Sequence, residues 1–366
     1  MTYTERRYDI DALRVIAIGL LLIYHTAIGF QPWGYMVWFI TNRESLSSLW
    51  PAMAMLNVWR IPILFFVSGM GVFFALQNRS WKQLLTERTR RILIPFVFGF
   101  FIIVPLHIFL LQYHYSQKIN YYPSTGHLWF LANIFIYVLL LLPALYYIKQ
   151  KGNVKIVNTL KRLFSTPLGL IVVVAIFMVE QVLVKPAIYE MYAMTWHGFF
   201  LGLIAFFFGF CFMLAGDAFW KLLLQWKWAL LAFAIVLYGN RLLSAQMQVH
   251  QLLLVLESNV WIFSIFAFSH QYLNKDSATL RYLSMAAYPI YIMHMVMIYL
   301  ASLLVFPLEI NTWLKFLIVL LSTFIGSFIL YEFIIKRVKI LIPLFGMKIS
   351  KKSLIPVNTK NNLEVD

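Results

Sequence analysis

The sequence has little charge and almost no cysteine. Of its 366 residues, 12% are charged and 62% apolar, a balance too apolar for a soluble domain. Cys211 is the single cysteine, which excludes an intrachain disulfide or a cysteine metal cluster and leaves that side chain to pack in an apolar helix. There is no HExxH pair, no phosphate-binding glycine loop, no nucleophile elbow and no carboxylate cluster suited to a metal. Internal repeats and low-complexity blocks are also absent.

What the chain does contain is apolar runs of spanning length. Ten are read at 11–31, 53–76, 92–112, 128–148, 168–184, 198–215, 227–245, 252–273, 284–306 and 313–335, each long enough to cross a bilayer. The expected fold is therefore an all-α, polytopic membrane bundle of about ten helices. The first run follows Arg6 and Arg7, as in a signal peptide, but no small-x-small cleavage site follows it and apolar segments continue to the C-terminal region. Placing the N-terminus in the cytoplasm puts 24 of the 30 Lys and Arg residues on the cytoplasmic side, and only Arg43, Lys118, Lys185 and Lys315 on the other. This is the positive-inside pattern, with both termini cytoplasmic. The net charge of +16 is thus a matter of topology and anionic headgroups rather than nucleic acid. One transmembrane domain is expected over 1–346, followed by a polar, disordered cytoplasmic tail over 347–366. Trp33, Trp38, Trp50, Tyr113, Tyr115, Tyr121 and Tyr122 read first as an interfacial aromatic belt and second as a carbohydrate-stacking surface.

Two basic side chains interrupt the first run. Arg14 and His25 are eleven residues apart, three helical turns plus roughly 20°, so they share one face with about 16 Å of rise between them. If Arg14 sits at the membrane edge, His25 lies near the midplane. A packing histidine is the plain alternative. Inside a membrane, however, an ionisable group is costly unless it faces a cavity or partner, and histidine is the side chain best placed to accept a proton near neutral pH.

Other candidates are less specific. Arg88 and Arg91 precede the third run and share a face if that helix begins early. They read as positive-inside anchors, or as a forked phosphate clamp. His127, Trp129 and Asn133 are placed at the outer mouth of span four, where a histidine beside a tryptophan is ordinarily an amphipathic anchor. Tyr288, Pro289, Tyr291 and His294 occupy the first half of span nine, where proline is expected to open the helical ladder. Glu332 and Lys336 form an i,i+4 pair, Arg241 and Glu257 are expected to pair between spans seven and eight, and Glu180 is a further intramembrane charge.

The chain resembles the acyltransferase type three family of polytopic bacterial acyltransferases. The resemblance rests on DIDALRVIAIGLLLIYH with Arg14 and His25, on Arg88, Arg91, Ile92 and Pro95, on HLWFL from His127, on YPIYIMH from Tyr288 to His294, and on YEFIIKRV followed by LFGMK. The HLWF and YEF forms look most like the glucan-modifying branch, which includes succinyltransferases of periplasmic glucans, and no soluble esterase-like second domain is expected after the last span. The resemblance implies an enzyme with acyl-CoA as co-substrate, its phosphates on Arg88 and Arg91. Arg14 would position the cofactor or His25, and His25 would act as general base on a hydroxyl of an extracytoplasmic glycan. His127, Trp129, Tyr288, His294 and Glu332 are the expected substrate-binding residues. A transporter or flippase using the same intramembrane charges is the alternative from another class, although transporters commonly carry repeat-related halves. A lipid or peptide amine could replace the glycan, and a homo-oligomer is compatible with the sequence.

Overall fold

The computed structural model describes residues 6–150, 154–244 and 247–348, so nearly all of the tail expected over 347–366 lies outside the described residues. The protein is helical, with no strand among the described residues. Among the described residues, ten helices are long and apolar enough to span a membrane: α1 (Tyr8–Ile28), α2 (Ser47–Gln77), α3 (Trp81–His114), α4 (Gly126–Lys149), α5 (Pro167–Val184), α6 (Trp196–Ala215), α7 (Asp217–Leu243), α8 (Gln251–Tyr272), α9 (Ala278–Val305) and α10 (Thr312–Ile335). Because consecutive spans alternate in direction, the N-terminus, the α2–α3 turn and the end of α10 share one end of the bundle. That end carries Arg6, Arg14, Arg79, Arg88, Arg91 and Lys336 and is called here the basic end. The opposite, aromatic end carries Trp33, Trp38 and Trp50.

Helix α2 is the hub. It buries 78% of its spanning window, against 17% for α7, which faces outward. Its tightest partner is α6, and two glycines explain the approach. A Cβ on Gly69 would lie 1.9 Å from the Phe206 carbonyl oxygen, and one on Gly209 would lie 2.0 Å from that of Phe66. Small residues let membrane helices meet backbone to backbone, where dispersion replaces the hydrophobic effect as the driving force. Around this seam Phe66 stacks on Phe212, and Phe212 on Phe219, with centroids 5.6 and 4.0 Å apart.

Span three starts eleven residues earlier than the apolar run suggests, at Trp81, because Ser80 and Gln83 form a reciprocal capping box. Pro95 and Pro105 lack the N–H that an α-helix needs, and the helix passes through π-turns at Thr89–Leu93 and Gly99–Ile103, each ending just before one of them. Span nine departs from expectation in the other direction. Pro289 lies inside an unbroken helix, Ala278–Val305, so the proline removes one backbone bond without opening the ladder. The start of α1 is pinned by a buried cluster: Arg7 donates to both Asp9 oxygens at 2.8 and 2.5 Å, lies 3.1 Å from His270 Nδ1 and stacks over Trp220.

Candidate active site

The space enclosed by α1, α2, α3, α4 and α9 is a cavity of about 2130 Å³ that reaches both ends of the bundle. Arg14, Arg79, Arg88 and Arg91 line its basic mouth, while Trp33, Trp38, Trp50 and Tyr122 line its aromatic mouth. The side chains read as an interfacial belt therefore include a set that walls this passage. Trp38 stacks on Tyr122 at 6.0 Å, and its backbone is left-handed (φ 70°), a conformation uncommon for a bulky residue and held only by surrounding contacts. Here the Trp38 carbonyl accepts a hydrogen bond from the Tyr299 hydroxyl.

Between the mouths lies a histidine cluster. His25 of α1 stacks on His294 of α9, with centroids 5.1 Å apart and Nδ1 of His25 2.9 Å from Nε2 of His294. His294 is fully buried behind it, and its Nδ1 is 2.6 Å from the Tyr291 carbonyl oxygen. A carbonyl only accepts, so Nδ1 of His294 carries the proton. With both rings neutral, Nε2 of His294 must then accept from Nδ1–H of His25. This leaves the lone pair of His25 on Nε2, with no hydrogen bond from a described residue, in a side chain that lines the cavity. A carbonyl thus fixes the tautomer of the outer ring through the inner one, much as a carboxylate orients the base in a hydrolytic triad.

His127 opens α4 after Gly126 (φ +44°), where a Cβ would crowd Val104 at 3.0 Å. Its Nε2 donates to the Ile292 carbonyl at 3.1 Å, and its ring meets His294 edge-on at 5.1 Å and His107 at 5.6 Å. His127 and Trp129 stand in the first turns of α4, where that helix starts at the aromatic end, but neither is an interfacial anchor: both line the cavity, and Trp129 is buried and packs on Phe65 at 6.1 Å. His25 also sits differently from the expected midplane position: it lies in the last turn of α1. The segment after α1 folds back over it, and Phe39 packs edge-on against the imidazole at 5.7 Å.

Arg14 does not touch His25. Its guanidinium pairs with Asp11 at 3.3 Å and approaches Gly71, where a Cβ would lie 3.9 Å from Nη2. It thus belongs to the basic mouth with Arg88 and Arg91, and its expected role of positioning His25 is not supported by contact. Arg88 donates to the Gly71 carbonyl at 3.3 Å, and Glu87 pairs with both Arg79 (3.0 Å) and Arg91 (3.5 Å). Tyr288 lines the cavity between mouth and histidines with its hydroxyl unpartnered among the described residues. Glu332 is not brought into the site: it accepts from Lys336 at 2.8 Å and from the Tyr282 hydroxyl at 3.0 Å and does not line the cavity. Among the other charges, Arg241 does pair with Glu257 at 2.8 Å, and Glu180 meets His197 at 2.9 Å.

Two cavity residues lie outside the expected set. His107 faces His127 from α3, and Arg60 of α2 stacks on Tyr24. Arg60 carries a signal visible in sequence, a charge in the middle of an apolar run; His107 carries only the presence of an imidazole in a membrane helix.

Comparison with known proteins matches the family model of an acyltransferase domain, of type three, to residues 7–332. No curated protein and no solved structure matches the chain. The matched region contains every spanning helix up to the last turn of α10, together with the cavity between the two mouths except Arg6 and the lining residues after Glu332, so this multi-pass membrane protein belongs to the acyltransferase type three family.

Proposed function

We propose that the protein is an O-acyltransferase of the bacterial inner membrane, moving an acetyl or succinyl group from cytoplasmic acyl-CoA to a hydroxyl of an extracytoplasmic glycan. The observation that carries this reading is one continuous cavity with an arginine mouth, a tautomer-fixed histidine pair and an aromatic mouth, in that order from the basic to the aromatic end of the bundle. The guanidiniums of Arg14, Arg88 and Arg91 suit the phosphates of CoA, since guanidinium forks match phosphate oxygens. From there the pantetheine arm passes Tyr288, whose free hydroxyl is a hydrogen-bonding group for its amides. Arg14 and His25 are separated by about 16 Å of helix rise, so a cofactor anchored by its phosphates presents its thioester to the histidines. The acceptor enters past Trp38 and Tyr122, flat aromatic faces of the kind that sugar rings stack on.

In the reaction, Nε2 of His25 removes the proton of the acceptor hydroxyl while its oxygen bonds to the thioester carbonyl carbon. His294 and the Tyr291 carbonyl stabilise the imidazolium through the two aligned N–H groups. As the carbonyl reforms, the carbon–sulfur bond breaks and the thiolate recovers the proton from His25.

Replacing His25 with alanine is expected to lower acyl transfer by the factor general-base assistance supplies, about 10²- to 10⁴-fold, with membrane insertion and CoA binding intact. His25→Gln holds a hydroxyl but cannot take its proton, so near wild-type transfer by that variant would remove His25 from the role of base. The direction of the reaction rests on topology, motivated by the 24-to-4 division of Lys and Arg. Reporter fusions at Arg43 and at Lys155 should read extracytoplasmic and cytoplasmic respectively. The reverse result would place the arginine mouth on the wrong side for acyl-CoA.

A further inference from the structure

Arg60 has no part in the reaction as written, yet its position gives it one. Helices α1 and α2 are antiparallel neighbours, and Arg14 meets α2 at Gly71. Eleven residues along α1 from Arg14 is His25, and eleven residues back along α2 from Gly71 is Arg60. Equal rise along the two helices puts His25 and Arg60 at a similar level, with Pro62 of α2 lying between Arg60 and Gly71. Both line the cavity, and Arg60 is near enough to act electrostatically on His25 and His294.

Arg60 is 1% exposed and its guanidinium is poorly satisfied. Its Nε and Nη1 are buried and have no partner among the described residues, and its hydrogen bond from Nη2 to Asn57 Oδ1 is long at 3.5 Å. The Tyr24 ring covers one side, 4.1 Å away. Tyr192 is the other phenol near it, and burial pushes that hydroxyl well above the ordinary tyrosine range, so it stays neutral and supplies no counter-charge. Glu190, in the loop between α5 and α6, is engaged by Arg241 at 3.1 Å. A buried cation left this bare is destabilising to the empty protein, and an anion arriving on the cavity side would relieve it.

We propose that Arg60 is a catalytic residue: its free N–H groups receive the negative charge that develops on the thioester carbonyl oxygen when the acceptor hydroxyl attacks. The inference rests on the acyl-transfer reading above. The acceptor oxygen bonds to the carbonyl carbon, its proton goes to Nε2 of His25, and the carbonyl π pair moves onto oxygen facing Arg60. When that pair returns, the carbon–sulfur bond breaks and the thiolate takes the proton back from His25. The similar level of the two residues is what this requires, a base and a cation meeting the same reacting carbon from two helices. Fixed donors of this kind act without reorganising in a water-poor site and typically contribute about 10²–10³-fold in kcat.

The test uses the full-length protein in nanodiscs, with thiol release from acetyl-CoA and succinyl-CoA in the presence of a β-linked gluco-oligosaccharide. Arg60→Met should lower kcat about 10²–10³-fold for each donor that wild type uses. The KM for donor should stay within about twofold and the melting temperature should be equal or higher, because a buried unpaired charge has been removed. A lower melting temperature in step with activity would make Arg60 structural. A loss confined to succinyl-CoA and seen in KM would make it a carboxylate subsite, and either outcome overturns the proposal. A second arm does not depend on turnover. Calorimetry compares CoA with a CoA analogue ending in a hydrated trifluoromethyl ketone, whose oxyanion stands where the attacked carbonyl would be. Wild type should favour the analogue and Arg60→Met should lose that preference; equal binding of the two ligands by wild type sinks the assignment. Preference for the analogue without any thiol release would instead count against the acyl-transfer reading alone.

Discussion

Two arginines, Arg60 and Arg241, are each 1% exposed within spanning helices, and their surroundings are opposite. Arg241 donates to Glu257 at 2.8 Å, to Glu190 at 3.1 Å and to the Ala54 carbonyl at 3.1 Å, leaving only Nε without a partner. It ties α7, α8, α2 and the α5–α6 loop together near the aromatic end. Arg60 has a long bond to an amide and the face of a ring. The same side chain, equally buried, is a saturated cross-link in one place and an unfinished site in the other. Burial of a charge in a membrane therefore does not by itself distinguish structure from function. What distinguishes them is whether the protein or the ligand completes the charge.

The contrast is sharpest in stability. Removing one partner of a buried ion pair costs up to about 3–5 kcal/mol when the remaining charge is left uncompensated; Glu257→Ala leaves Arg241 only the more exposed Glu190, so it should lower the melting temperature in detergent. The double replacement Arg241→Met with Glu257→Leu should recover much of that loss, because it deletes both charges. Arg60→Met should show no such loss. If Glu257→Ala melts like wild type, or if Arg60→Met melts as low as Glu257→Ala, the division between the two arginines is broken.

Much of the architecture was legible in the chain because membrane constraints are one-dimensional. A bilayer demands about twenty apolar residues per crossing, and all ten runs correspond to helices, with edges displaced where a cap intervenes, as Ser80 does for α3. The Arg14–His25 stripe was legible because helical periodicity alone sets it. The relay from Tyr291 through His294 to His25 was not, since it depends on the register between α1 and α9. Nor was the level placement of Arg60, which depends on the meeting of Arg14 with Gly71. The surroundings of His127 were not legible for a related reason: a histidine beside a tryptophan at a span boundary looks interfacial until the packing shows its ring against His294 and His107. Spacing along one helix can be read from sequence, whereas depth shared between helices requires the packing.

A third arginine environment, intermediate between the two, gives a smaller effect. At the basic mouth Arg88 is partly buried, with its Nη2 on the Gly71 carbonyl at 3.3 Å and its Nε unpartnered among the described residues, while Arg91 is half exposed and shares Glu87 with Arg79. Here one carboxylate serves two cations and Arg88 has none in contact, so the mouth holds excess positive charge that a phosphate would satisfy. Hydrogen bonds to charged groups contribute about 1.5–3 kcal/mol each, and every 1.4 kcal/mol is about tenfold in affinity. Replacing both Arg88 and Arg91 with glutamine should therefore weaken CoA binding by about tenfold or more, without the stability loss expected of Glu257→Ala. Adenosine 3′,5′-bisphosphate, which keeps phosphates and lacks the pantetheine arm, should lose affinity by a similar factor, and added salt should narrow the gap between wild type and variant. Unchanged CoA affinity would return Arg88 and Arg91 to the role of topology determinants. A loss seen with CoA but not with the bisphosphate would move their contact from the phosphates to the arm.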